Sequence, residues 1–185
     1  MNLSTRAVTL LLGLLLAGCA TTWVKVDATG SQYQGKNYSA RLPVGWMRQE
    51  SDKSVVLSKD GVLLQHITIE YRPHEKAFEK IEKDSSASML PSELAELTIA
   101  ELKASQEEGL PSLEILHNAP FEIDGHTGFG IHLQYKTDSG LRMDMLLRGV
   151  ADESGLYLIK YTAPTLHYFN RDRQVYDSLT ESLQL

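Results

Sequence analysis

One cysteine, Cys19, sits directly behind an apolar run, and that single position sets how this chain can be held together. With no second thiol, no internal disulfide is available, so any fold must rest on core packing alone. The run before it, Ala7 to Leu16, holds Leu10, Leu11, Leu12, Leu14, Leu15 and Leu16, and follows a short segment made positive by Arg6. It is about half the ~20 apolar residues that a membrane-spanning helix needs, and it matches the apolar region of a secretory signal peptide. Removing residues 1–18 leaves about 167 of the 185 residues, which suits one domain with a substantial core. The formal net charge of -6 argues against nucleic acid as a partner, because phosphate neutralisation needs clustered Lys and Arg.

Leu16-Ala17-Gly18-Cys19 resembles the lipobox of bacterial lipoproteins. The residue types fit the chemistry. A thiol carries diacylglycerol as a thioether, and small residues at 17 and 18 let a peptidase reach the bond before Cys19, whose new amine can then be acylated. One acyl chain gives only marginal membrane binding, about 10⁴ M⁻¹, whereas two or more anchor a protein stably. The resemblance implies Cys19 as the lipidation site and the membrane as a partner. Ala20 stands where an inner-membrane retention signal would place Asp, so the expected location is the bacterial envelope, anchored to the outer membrane and facing the periplasm. An ordinary signal peptide followed by an incidental Cys is the plainer alternative. Residues 19–37 are expected to be a polar tether, in which Trp23, Val24 and Val26 can still dock on the domain.

Beyond residue 37 the pattern alternates strands and helices. Strands are expected at Ser39 to Leu42, Ser54 to Ser58 and Val62 to Tyr71, where Ile67, Ile69 and Tyr71 alternate with polar residues. A short helix is expected at Pro73 to Ile81 and a longer one at Pro91 to Gln106, started by Pro91 and ended by Gly109. Leu113 to Ile123 and His126 to Thr137 are joined by Asp124-Gly125, a strong hairpin signal. Leu141 to Ala151 and Leu156 to Ala163 follow. A last helix covers Leu166 to Ser182, with Phe169, Tyr176, Leu179 and Leu183 on one stripe. A turn centred on Ser139 sets Tyr135 opposite Met143, Leu133 opposite Met145 and Ile131 opposite Leu147. One side of that hairpin is then apolar, and the other carries His132, Gln134, Lys136, Arg142, Asp144 and Arg148. The last strand is apolar on both sides. An α+β fold follows, an antiparallel β-sheet flanked by helices as an α-β-α sandwich.

Several segments carry a family resemblance. Tyr38-Ser39-Ala40-Arg41-Leu42-Pro43-Val44-Gly45-Trp46 looks like the opening of PsbP-like domains, Ile123-Asp124-Gly125-His126-Thr127-Gly128 like their central hairpin, and Tyr157-Leu158-Ile159-Lys160-Tyr161-Thr162-Ala163-Pro164 like their last strand. The closing helix, with Phe169, Tyr176 and Ser178-Leu179, is also similar. The resemblance covers residues 38–185 and implies an antiparallel sheet flanked by helices. Its relatives include extrinsic photosystem II subunits, the Mog-type nuclear import factor that binds Ran, and bacterial lipoproteins. These relatives mostly bind partners, so the resemblance implies a non-enzymatic binding or accessory role, with an envelope protein as partner. It carries no site motif onto residues of this chain, and fold likeness alone does not give function.

The chain lacks a Gly-x-Ser-x-Gly elbow, a phosphate loop and a Gly-x-Gly-x-x-Gly turn. His74-Glu75 has no second His at the spacing of a zincin helix. No cofactor is expected. The sharpest local candidate is a histidine pair. A two-residue turn at Asp124-Gly125 sets His117 opposite His132, with Asp144 one diagonal step away. Two imidazoles and a carboxylate suit zinc or copper, so His117, His132 and Asp144 form a candidate metal or small-molecule face. A bulge in the strand would separate the pair. Arg142, Asp144, Arg148 and Lys160 are a candidate ligand groove, with a solvated, ion-paired face as the alternative. Tyr157, Tyr161, Tyr168, Phe169 and Tyr176 make either a partner patch or core packing between the last strand and helix.

Overall fold

The computed structural model describes residues 22–105 and 112–185. The leader and Cys19 therefore lie outside the described residues, as do Gln106 and Gly109. Ten strands are described: β1 (Val24–Lys25), β2 (Gln32–Gln34), β3 (Ser39–Arg41), β4 (Met47–Glu50), β5 (Ser54–Ser58), β6 (His66–Arg72), β7 (Glu114–Ile123), β8 (His126–Lys136), β9 (Arg142–Ala151) and β10 (Leu156–Pro164). Two α-helices accompany them, α1 (Pro91–Ala104) and α2 (Tyr168–Glu181). Eight strands form one antiparallel sheet in the order β1-β4-β5-β6-β10-β9-β8-β7, while β2 and β3 pair separately.

Each face of the sheet carries its own helix. On one, Ile67, Ile69, Tyr157, Ile159, Tyr161 and Val150 pack beneath Phe169, Tyr176 and Leu179 of α2 and Leu183 beyond it. On the other, Phe129, Ile131, Leu133, Met145, Leu147 and Leu158 pack against Leu94 and Ala95 of α1. The alternation along β10 serves both cores, with odd residues toward α2 and even ones toward α1. The expected α-β-α sandwich is what forms. Of the aromatic set around α2, Tyr157, Tyr161, Phe169 and Tyr176 are buried and Tyr168 is half-buried. Tyr161 Oη donates to the Tyr168 carbonyl (2.9 Å) and Tyr176 Oη to the Ile159 carbonyl (3.0 Å), so the buried phenols are satisfied.

Three local expectations are corrected. Residues 22–37 are more than a tether: β1 pairs with β4, β2 pairs with β3, and Val26 is buried in the α2-side core. Val62 to Leu64 leave strand conformation because the Gly61 carbonyl accepts from Leu64 N and Gln65 N (2.9 and 3.0 Å), so β6 starts at His66. Between Pro73 and Ile81 only a single 3-10 turn, His74–Lys76, forms. There the Glu101 carboxylate accepts from Lys80 N and Ile81 N, and Phe78 pairs with Lys83, which bends the chain away from a helix.

Candidate functional site

The registers read from turn chemistry hold. Tyr135 faces Met143, Leu133 faces Met145 and Ile131 faces Leu147. His117 faces His132, and the bulge lies just outside the pair, between Ile115 and His117, which returns Ile115 to a position opposite Leu133. Gln134 faces Asp144. His117, His132 and Asp144 thus share the α2 face of the sheet.

Their surroundings differ from the expected metal face. Asp144 is only 2% exposed, and its Oδ1 accepts from His132 Nε2 (2.6 Å) and Gln134 Nε2 (2.9 Å). The His132 ring stacks on Phe169, with centroids 5.2 Å apart. His117 is exposed on the outer strand β7. Among the described residues no group of three or more His, Cys, Asp or Glu side chains is arranged to hold a metal ion. The side chains of His132 and Asp144 bind each other and wedge the sheet against α2. A shallow hollow of about 370 Å³ remains beside them, bounded by His117, Phe121, His132, Arg148 and Arg173. Arg148 is committed to packing: its guanidinium lies 4.0 Å from the Phe121 ring and 4.8 Å from the Tyr176 ring, and Nη2 donates to Asp177 (2.6 Å). Lys160 pairs with Leu147 and faces α1, so it cannot share a groove with Asp144 and Arg148.

A larger cleft, about 650 Å³, opens elsewhere, where the β4–β5 turn, the end of β6 and the 3-10 turn meet α1. Arg72 organises it. Its Nε and Nη2 donate to Glu70 Oε2 (3.1 and 2.6 Å), Nη1 donates to the Ala77 carbonyl (2.9 Å), and Nη1 lies 4.0 Å from Glu101. Lys160 approaches Glu70 to 3.8 Å from below. Burial works to raise the Glu70 carboxyl, but Lys160 and Arg72 together hold it below the usual glutamate value. Lys53 and Glu79 pair at the rim, 3.7 Å apart. Lys36, Lys76 and Lys80 also line the cleft, and among the described residues their ammonium groups have no carboxylate at salt-bridge distance. The inner acids are thus neutralised by Arg72 and Lys160, while the rim presents the ammonium groups of Lys36, Lys76 and Lys80 together with one exposed carboxylate, Asp52. Sequence reasoning missed this site. Its residues come from five separated segments, and the only local signal was the run of lysines around Lys76, Lys80 and Lys83.

These layers and this strand order define a PsbP- and Mog1-like α+β fold. The chain is similar to cyanobacterial PsbP (CyanoP) from Synechocystis, with a TM-score of 0.57, 10% identity, and cover of 92% of this chain and 99% of that one. It is also similar to a mutant of the protein Mog1, with a TM-score of 0.53, 10% identity, and cover of 89% and 95%. A protein from Bacteroides thetaiotaomicron matches with a TM-score of 0.51 at 10% identity, over 89% of this chain and 48% of its own. At such identities the likeness is one of fold alone. No family model and no curated protein matches the sequence. Among the described residues no helix is long and apolar enough to cross a membrane.

Proposed function

We propose that this is a lipid-anchored bacterial envelope protein whose domain is a non-enzymatic binding module, and that the Arg72 cleft is where it grips an acidic partner. The lipobox-like Leu16-Ala17-Gly18-Cys19 supports the anchor. The observation that carries the binding role is the charge arrangement of the cleft. Glu70 and Glu101 are held by Arg72 and Lys160, and among the described residues the ammonium groups of Lys36, Lys76 and Lys80 have no carboxylate partner at the opening, Lys36 lying 5.7 Å from the Tyr71 ring centroid. Such a surface attracts carboxylate or phosphate groups at no cost of breaking existing ion pairs.

Two measurements test it. The Cys19 peptide from membrane-extracted protein should carry the mass of its acyl chains, and Cys19→Ser should release the chain from membranes. A photocrosslinking residue at Lys76 should yield a discrete adduct in the native envelope, reduced at least several-fold by Lys36→Glu with Lys80→Glu. An unmodified Cys19 would remove the anchor. The same adduct pattern with and without the charge reversals would remove the cleft.

A further inference from the structure

One end of the sheet is unusually apolar for a surface. Here β5, β8 and β10 finish while β6 and β9 begin, as the pairings His66 with Thr162, Met143 with Pro164 and Lys136 with Arg142 require. Leu63 is 91% exposed in the β5–β6 loop, Leu166 is 83% exposed after β10, and Leu141 is 46% exposed in the β8–β9 turn. Val62 and Leu64 flank Leu63 and are also exposed.

The β5–β6 loop is built to present them. The Gly61 carbonyl closes its turn, His66 Nδ1 contacts the Val62 carbonyl at 2.9 Å, and Ser58 Oγ donates to the Gln65 carbonyl at 2.8 Å. Buried Gln65 donates to Asp172 of α2 at 2.8 Å, which fixes the loop to the body. These leucines therefore face solvent on an ordered frame.

Two further observations bear on what covers this end. Lys136 and Arg142 are exposed directly opposite each other across β8 and β9, and among the described residues neither has a carboxylate at salt-bridge distance. Like charges so opposed are destabilising until a counter-charge arrives. Trp23 shares a hollow of about 190 Å³ with Lys59, Gly61 and Val62, beside the Leu63 loop. Cys19 is four residues before Trp23, a span of at most about 14 Å.

We propose that this end of the sheet rests on a bilayer with anionic headgroups. Leu63, Leu141 and Leu166 enter the interface, Lys136 and Arg142 meet the headgroups, and Trp23 lies at the boundary. The inference rests on the lipid anchor proposed above. A short link to an acylated Cys19 keeps this end within reach of the membrane at all times. The apolar side chains stand on three separate loops rather than along a groove, which suits a fluid surface more than a folded partner.

Because Cys19 is the chain's one cysteine, Leu63→Cys and Leu166→Cys each give a unique thiol on the mature acylated protein. A polarity-sensitive fluorophore is attached there, and also at Glu153→Cys in the exposed β9–β10 turn at the opposite end of the sheet. The proteins are reconstituted in vesicles of phosphatidylethanolamine and phosphatidylglycerol, with or without brominated acyl chains. Labels at 63 and 166 should shift to the blue and be quenched by bromine, and the label at 153 should do neither. Lys136→Glu with Arg142→Glu should lower the quenching several-fold. Labels at 63 and 166 that match the one at 153, on protein that floats with vesicles and carries its acyl mass, overturn the docking and leave the anchor standing. Absent acyl mass overturns the anchor itself. Labels that are dry in native envelopes yet wet in protein-free vesicles overturn lipid as the occupant in favour of a protein.

Discussion

Replacing Arg72 by Met keeps the aliphatic stem and deletes the guanidinium that links Glu70, Glu101 and the Ala77 carbonyl. The three side chains are 27%, 21% and 11% exposed, so the cluster is neither at the surface nor fully buried. An exposed pair would be worth about 0–1 kcal/mol, and breaking a buried one about 3–5 kcal/mol. Glu70 retains Lys160 at 3.8 Å, and Glu101 retains the backbone N–H groups of Lys80 and Ile81, which softens the loss. The expected destabilisation is about 2–3 kcal/mol, read as a lower urea midpoint near neutral pH at unchanged slope. Adding Glu70→Gln should recover about half of it, because a half-buried carboxylate left with Lys160 alone is gone. The pH dependence follows from the sign of the Glu70 shift. Its folded value is depressed, so in the parent it contributes stability above the unfolded glutamate value, which is lost as pH falls through the folded one. Without Arg72, burial pulls the other way, and the gap between parent and variant should narrow on acidification. A loss below about 0.5 kcal/mol, or a gap independent of pH, would refute the view that Arg72 organises the cleft.

Gly149→Ala would place a Cβ 2.5 Å from the Phe129 ring and 2.9 Å from Leu158, and should cost about 1–3 kcal/mol in the same urea assay. Deleting residues 20–37 should destabilise the domain by more than about 1.5 kcal/mol, because it strips β1 from the sheet edge and Val26 from the core; thermal unfolding of the truncated chain checks this. Burial lowers the His66 imidazole below its ordinary value, with Lys160 adding to it and the Val62 carbonyl opposing. The unfolded chain therefore takes up that proton first, and stability should begin to fall as pH drops below the unfolded value of 6.5, in a step that His66→Gln flattens.

Turn chemistry makes the β7–β8–β9 part of the sheet legible in the sequence. Asp124 and Gly125 both take positive φ, 48° and 76°, as a two-residue hairpin demands, and that turn fixes the register down to His117 opposite His132. The stripe of Phe169, Tyr176 and Leu179 placed α2 with the same directness. What escaped was decided by contacts distant in sequence. β1 and β2 are two and three residues long, too short for periodicity, and exist because β4 and β3 offer them partners. Likewise Asp144 reads as a ligand on an open polar face until α2 is laid over it. The cleft needed β6, α1 and the segments around Lys36, Lys53 and Lys76 to converge, and no local pattern encodes that.

The two proposals are joined by the direction of the strands. In an antiparallel sheet every strand runs from one end to the other, so the two ends can be given separate tasks. β6 starts at His66, which holds the Leu63 loop, and finishes at Arg72, which organises the cleft. Seven residues of strand separate them by about 20 Å. A domain seated on its apolar end therefore lifts the cleft by about that distance above the headgroups, beyond the ~8 Å over which the membrane's own negative charge is felt at physiological ionic strength. Lys36, Lys76 and Lys80 are then not neutralised by the bilayer, and acidic groups presented from the far side compete for them with salt alone. β1 runs antiparallel to β4, toward the apolar end, and four residues between Cys19 and Trp23 span at most about 14 Å, so on the proposed anchor the link alone permits either pose. Inverting the domain would press those lysines against anionic lipid and leave the leucines in water, so the apolar end decides which end of the sheet is available to a partner.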